Sequence, residues 1–146
     1  MELNGETLRF IREHRKDDVR SLALQAPKYP DVDMPVALTQ IAGRQAAAEK
    51  IPSWHEEESV LYPRHLSLEQ CSSEATARYK ASIIPESSSG TLTDLTGGFG
   101  IDCAFLSPKF HHVTYVERQE VLCEIASHNF PLLGLNPVSY THLTLP

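Results

Sequence analysis

"TLTDLTGGFGID", Thr91 to Asp102, is where the character of the chain changes. Its first half, "TLTDLT", reads as a strand. The glycines Gly97, Gly98 and Gly100 follow, and "GIDCAFLS" reads as a helix that opens at them. "HVTYVE", His112 to Glu117, is a second strand with a β-branched and aromatic bias. "RQEVLCEIASHNF" then forms a second helix with Leu122, Ile125 and Ala126 inward. The order β-α-β-α predicts parallel strands joined by helices. In open α/β sheets a ligand sits beyond the carboxyl ends of the strands, so the glycines mark a candidate site.

Upstream of the loop "PESSSG", Pro85 to Gly90, the chain reads as helices. Thr7 to His14 is amphipathic, with Leu8 and Ile11 on one side. Asp17 and Asp18 open a second helix, where Val19, Leu22, Ala23 and Ala26 form a helical stripe that ends at Pro27 and Pro30. Asp33 followed by Pro35 starts a third helix, since an acid suits the positive end of the dipole and proline is tolerated in the first turn. It runs to about Lys50, with Leu38, Ile41, Ala42 and Ala46 inward. "IPSWHEEESVLYP" reads as an irregular connection. Ser67 with Gln70 makes a capping box that opens a helix through "SLEQCSSEATARYKASI", with Leu68, Cys71, Ala75 and Tyr79 on one face.

Composition narrows the function classes. The chain has 146 residues, of which 41% are apolar and 22% charged, ordinary for a soluble globular protein. No run approaches the ~20 apolar residues of a membrane helix, and no signal peptide pattern stands at the N-terminus. Three cysteines without paired spacing, Cys71, Cys103 and Cys123, argue against a disulfide framework and for the cytoplasm. The seven histidines lack metal-ligand spacing, so no metal site is expected. A net charge of −6 excludes a basic nucleic-acid clamp within this chain.

The glycine stretch can be tested against nucleotide loops. A Walker-type loop needs a lysine after the last glycine, and there is none after Gly100. A dinucleotide fingerprint needs a third glycine, where this chain has Cys103, and Asp102 would meet a pyrophosphate unfavourably. A third reading fits better. Asp94 ends the first strand, where it can accept hydrogen bonds from an ammonium group. Glu117 ends the second, where a carboxylate can take both hydroxyls of a ribose. An amine, a ribose and no phosphate describe S-adenosyl-L-methionine. Thr96, Gly97, Phe99 and Asp102 are neighbours of that site, although some of them can merely shape the turn.

"DLTGGFGID" resembles motif I of class I S-adenosylmethionine-dependent methyltransferases, D-x-x-x-G-x-G. "VTYVER" resembles their second motif, which implies Glu117 as the ribose acid and Arg118 as the adenine neighbour. With "DDVRSLALQAPKYPDVD", "QIAGRQAAAEKIPSW" and "YPRHLSLEQCSSEATARYK", the chain resembles a bacterial family of methyltransferases over about residues 6 to 136. That family has a helical N-terminal region, the methyltransferase fold and a THUMP-like domain. The resemblance implies an α/β fold: a helical region at 1–84, then at 85–137 the first β-α-β-α of a Rossmann-like sheet, left incomplete. It implies a cofactor site of Asp94, Thr96, Gly97, Gly98, Phe99, Gly100, Asp102, Glu117 and Arg118, and RNA as the partner of a later region. Such an N-terminal fragment is expected to be inactive alone, and it contains no assignable catalytic residue. A nicotinamide-dependent enzyme and a non-enzymatic helical interaction module are the competing readings.

Several features are given no such role. "VSYTHLTLP", Val138 to Pro146, resembles the read-through of a sequencing adapter and is set outside the fold. "NPVSY", Asn136 to Tyr140, imitates the N-P-P-[YF] motif of amino-methylating enzymes but comes too early in the fold. Cys71 beside Ser72 and Ser73 reads as a small buried thiol, on a helix that can still pack near the methionine end of the cofactor. Trp54 and Tyr62 read as packing residues, and Glu56 to Glu58 as a solvated acidic run.

Overall fold

A computed structural model describes residues 3–86, 90–135 and 138–142. The helical region contains α1 (Gly5–Glu13), α2 (Val19–Leu24), α3 (Met34–Lys50), α4 (Pro52–Glu56), α5 (His65–Gln70) and α6 (Glu74–Ser82). Then come β1 (Thr91–Asp94), α7 (Ile101–Leu106), β2 (His112–Glu117), α8 (Glu120–Leu132) and β3 (Val138–His142). The strands lie in the order β1-β2-β3, and both pairings are parallel, with Asp94 opposite Tyr115 and Glu117 opposite His142. The expected parallel β-α-β-α is therefore present, in a mixed α/β molecule.

Asp18 and Asp33 start α2 and α3 where the sequence suggests, accepting from the backbone N–H groups of Ser21 and Val36, while α1 begins at Gly5, ahead of the expected Thr7, because Asn4 caps it by accepting from Thr7 N. The capping box at Ser67 does not form. One expected helix is instead two, broken at Cys71–Ser73, and Ser73 caps α6 by accepting from Thr76 N. A further helical turn, α4, lies within the stretch read as irregular.

The buried faces also differ from the apolar stripes. In α1 the buried residues are Thr7 and Phe10, while Leu8 is exposed. In α2 only Leu22 of the expected stripe is buried, and Ala23 is exposed. In α3, Ala37, Gln40, Ile41, Gly43 and Ala47 are buried and Ala46 faces solvent. In α6, Glu74 and Ala77 face inward and Ala75 and Tyr79 outward.

The helical and sheet regions share one core. Ala47, Ile51, Trp54, Tyr62, Leu68 and Ala77 pack in the same cluster as Phe99, Ile101, Tyr115, Ile125 and Phe130. The change at residue 85 is thus a change of secondary structure, not of core. A smaller cluster of Phe10, Leu22, Met34, Ala37 and Ile41 joins α1 to α3.

The segment set outside the fold contributes to it. Residues 138–142 form β3 against β2, and the Tyr140 ring lies 6.0 Å from those of Tyr115 and Phe130. The β-branched and aromatic residues Val138, Tyr140 and Thr141 suit a strand. Asn136 and Pro137 of the "NPVSY" stretch, residues 143–146 and residues 87–89 of the loop lie outside the described residues.

Candidate cofactor cleft

The glycine turn is held from several sides. Gly97 N donates to Val116 O at 2.9 Å, and Gly100 N to Gly97 O at 2.8 Å. Both polar groups of Gly98 are bonded to side chains of β2. Its N–H donates to Glu117 Oε2 at 2.8 Å, and its carbonyl accepts from the Tyr115 hydroxyl at 2.5 Å. Gly98 (φ 53°) and Gly100 (φ 90°) have left-handed backbones that favour glycine. At Gly100 the missing Cβ makes room for a protein group, since a Cβ would lie 2.6 Å from Phe130 Cζ. Gly97 likewise gives way to the Tyr115 ring. Gly98 alone of the three has open space at that position, with only Thr96 O nearby at 3.6 Å.

Phe99 projects from the turn into the helical region. It is 1% exposed, and its ring packs edge-on against Trp54 at 5.0 Å and tilted against Tyr62 at 6.0 Å. Trp54 and Tyr62 are thus packing residues, and Phe99 anchors the turn in the core.

A cleft of about 310 Å³ lies over this turn. Asp94, Thr96, Gly97, Gly98, Phe99, Gly100, Asp102 and Glu117 all line it. Arg118 does not; its side chain is exposed, and its backbone N–H donates to Glu117 Oε1 while its carbonyl lies 2.9 Å from His142 Nε2. The opposite wall is in part the Cys71 stretch, which the sequence allows near the cofactor, and in part residues that the sequence does not single out. Ser67, Gln70, Cys71 and Ser72 of the helical region line the cleft, as do Gln119 and Leu122. The Cys71–Ser73 motif is the available signal, and it lies at the break between α5 and α6.

Three carboxylates meet here. Asp94 Oδ1 accepts from Thr96 N at 3.1 Å. Burial pushes the Asp94 carboxyl above its ordinary pKa, and the charges of Asp102 and Glu117 push the same way, against the Thr96 hydrogen bond and Lys80. Glu117, 7% exposed, accepts from Gly98 on Oε2 and from Arg118 (2.8 Å) and Gln119 (2.9 Å) on Oε1. With two acceptor positions per oxygen, Oε1 is filled and Oε2 keeps one open. Asp102 Oδ2 accepts from Ser72 Oγ at 3.0 Å and Lys80 Nζ at 2.9 Å. Asp102 Oδ1 is buried with no partner among the described residues.

Cys71 Sγ donates to Leu68 O at 3.0 Å, and burial raises its pKa, so the thiolate is disfavoured. Among the described residues no group of three or more His, Cys, Asp or Glu is placed to hold a metal. None of the described helices is long and apolar enough to cross a membrane.

The arrangement suits a cationic ligand better than a phosphate. The Gly98 N–H that would meet an anion already serves a carboxylate, and Asp102 stands in the first turn of α7. The partnerless Asp102 oxygen and the raised Asp94 are both relieved by a donor that carries positive charge.

No protein-family model matches the chain, and no curated protein matches it. A crystal structure described as that of a putative methyltransferase from Porphyromonas gingivalis W83 does match, with a TM-score of 0.71 and 31% identity. The match covers 93% of this chain and 33% of that one, so the chain spans about a third of its neighbour's length. The described residues carry a methyltransferase-like α/β fold.

Proposed function

We propose that the chain supplies the S-adenosyl-L-methionine-binding part of a class I methyltransferase, with a Rossmann-like sheet at its centre. The observation that carries this reading is the convergence of Asp94, Asp102 and Glu117 on a glycine turn whose Gly98 N–H is already bonded to a carboxylate. Asp94 holds the ammonium group, Glu117 accepts one ribose hydroxyl on Oε2, and Gly98 leaves room for the ligand to approach the backbone. When bound, the cofactor supplies a methyl group on a sulfonium centre. The chain's part is to fix that group's position, which is the main source of rate in a transfer between two bound reactants. For the whole protein we propose RNA as the methyl acceptor, on the strength of the sequence resemblance and its THUMP-like domain.

Calorimetric titration separates this from the nicotinamide reading. S-adenosylhomocysteine should bind and NAD should not; the opposite result would sink the proposal. If Asp94→Ala and Glu117→Ala left S-adenosylhomocysteine binding unchanged, the cleft would not be the site.

A further inference from the structure

Gly97, Gly98 and Gly100 have no side chains with which to fix the backbone of their turn, so its shape must be set from outside. β2 does this from one face. Tyr115 stands opposite Asp94, the last residue of β1, where the turn begins. Glu117 follows two residues on, on the same face of the strand. Between them they take both polar groups of Gly98. The Tyr115 hydroxyl donates to Gly98 O at 2.5 Å, and Glu117 Oε2 accepts from Gly98 N at 2.8 Å. These groups belong to the two peptide planes that meet at the Gly98 Cα, where φ is 53°. The phenol is itself held by packing. Tyr115 is fully buried, its ring lies edge-on to Phe130 at 5.7 Å, and Gly97 lacks the Cβ that would run into that ring. Burial raises the phenol pKa, so the group stays protonated and donates. Its single proton goes to Gly98 O, because Leu122 O lies farther away at 3.4 Å.

We propose that Tyr115 is a positioning residue for Glu117. Tyr115 does not line the cleft, so it acts through Gly98. By fixing the Gly98 carbonyl, its hydroxyl keeps Gly98 in the conformation that turns the N–H onto Glu117 Oε2. That oxygen is then held in one orientation, with its second acceptor position open to a ribose hydroxyl. Without the phenol, the freedom of glycine lets the turn visit other conformations, and Oε2 loses its fixed partner for part of the time. Arg118 N and Gln119 N hold Oε1 in either case, so the effect falls on the oxygen that faces the ligand. The inference rests on the S-adenosyl-L-methionine reading and adds Tyr115 as the residue that sets how well the ribose hydroxyls are recognised.

The test compares two ligands on the full chain by calorimetry, S-adenosylhomocysteine and its 2′,3′-dideoxy analogue, which lacks the ribose hydroxyls. Tyr115→Phe removes the hydroxyl and keeps the ring for which Gly97 makes room. In this variant S-adenosylhomocysteine should bind about fivefold more weakly, the loss expected for one neutral hydrogen bond, and the dideoxy analogue as in the unaltered chain. A merely structural role would weaken both ligands alike. Equal losses for both, no loss for either, or no preference for the ribose hydroxyls in the unaltered chain would overturn the inference and leave the cofactor reading standing. If the unaltered chain bound neither ligand, both would fall together. Hydrogen exchange without ligand gives a second measurement. The Gly98 amide should exchange faster in Tyr115→Phe while the amides of β2 keep their protection, and an unchanged Gly98 rate would also overturn the inference.

Discussion

The cleft has two walls, and they are built differently. The sheet wall is the turn from β1 to α7. Its backbone is tied to β2 at Gly97 N, Gly98 N and Gly98 O, and Phe99 plugs it into the core. The helical wall is the break between α5 and α6. It reaches the sheet wall's α7 through the side chains of Ser72 and Lys80, which meet Asp102. Lys80 and Asp102 are each substantially exposed, at 44% and 33% of their side chains. Backbone bonds and buried rings fix a position more firmly than partly solvated side chains do. The sheet wall is therefore tied through its own backbone, whereas the helical wall shares the core through Leu68 and Ala77 and makes its polar contacts to α7 through side chains.

The largest expected effect tests how firmly the sheet wall is held. Gly100→Ala must fit a Cβ against the Phe130 ring at φ 90°, and should cost about 3 kcal/mol of stability. Gly5 has open space around it and no positive φ, so Gly5→Ala should cost less than about 0.5 kcal/mol. Denaturant melts of the two variants measure the contrast. Equal midpoints would show that the turn is not tightly packed.

The next effect is smaller and joins stability to binding. Glu117→Gln sets an amide NH₂ toward some of the three N–H groups that the carboxylate now serves. A cost of about 2 kcal/mol is expected, because buried donors are left without acceptors. Binding of S-adenosylhomocysteine should fall with it. Retained stability with lost binding would mean that Glu117 serves the ligand alone and does not hold the turn.

The same contrast explains what the sequence discloses. The strands, the glycine turn and its flanking acids follow local rules of alternation and turn chemistry, and β2 lies where its β-branched run places it. The helix faces do not follow local rules, because polar residues on them find distant partners. Thr7 is buried since its Oγ1 accepts from Asp33 N, 26 residues on. Gln40 is buried since its amide bonds both the N–H and the carbonyl of Tyr62. Glu74 accepts from Ser53 and Arg78. Asn129 accepts from Leu61 N and donates to Leu61 O, 68 residues away. A stripe of apolar residues cannot register such pairs, so Leu8, Ala46 and Tyr79 belong to apolar stripes and yet lie outside. The break at Cys71–Ser73, which shapes the helical wall of the cleft, escapes such a stripe for the same reason.

A third, milder effect checks that wall. Ser73 is the cap of α6, and Ser73→Ala should cost about 1 kcal/mol. Ser67 caps nothing, so Ser67→Ala should cost under about 0.5 kcal/mol. Reversed costs would restore the single continuous helix and remove the break that brings Ser72 to Asp102.

The smallest effect has the opposite sign. The folded state raises the Asp94 carboxyl pKa, through burial first and then the neighbouring acids. A folded state that holds this proton more tightly than the unfolded chain loses stability as pH rises from about 4 through the folded-state pKa. Above that window the ionised Asp94 is a standing penalty on the unliganded protein. Asp94→Asn removes the charge and keeps an oxygen for Thr96 N, so the melting midpoint at pH 7 should rise by about 2 °C. The gain over the unaltered chain should shrink as pH falls through the folded-state pKa and Asp94 takes up its proton. Binding should respond in the reverse sense. S-adenosylhomocysteine affinity should be lost in Asp94→Asn, and in the unaltered chain should weaken as acid protonates Asp94. A residue whose removal stabilises the empty protein and abolishes the complex is kept for its ligand. If Asp94→Asn proved less stable at pH 7, the carboxylate would belong to the framework of the sheet wall, and the division between a wall tied through its backbone and a charge reserved for the ligand would fail.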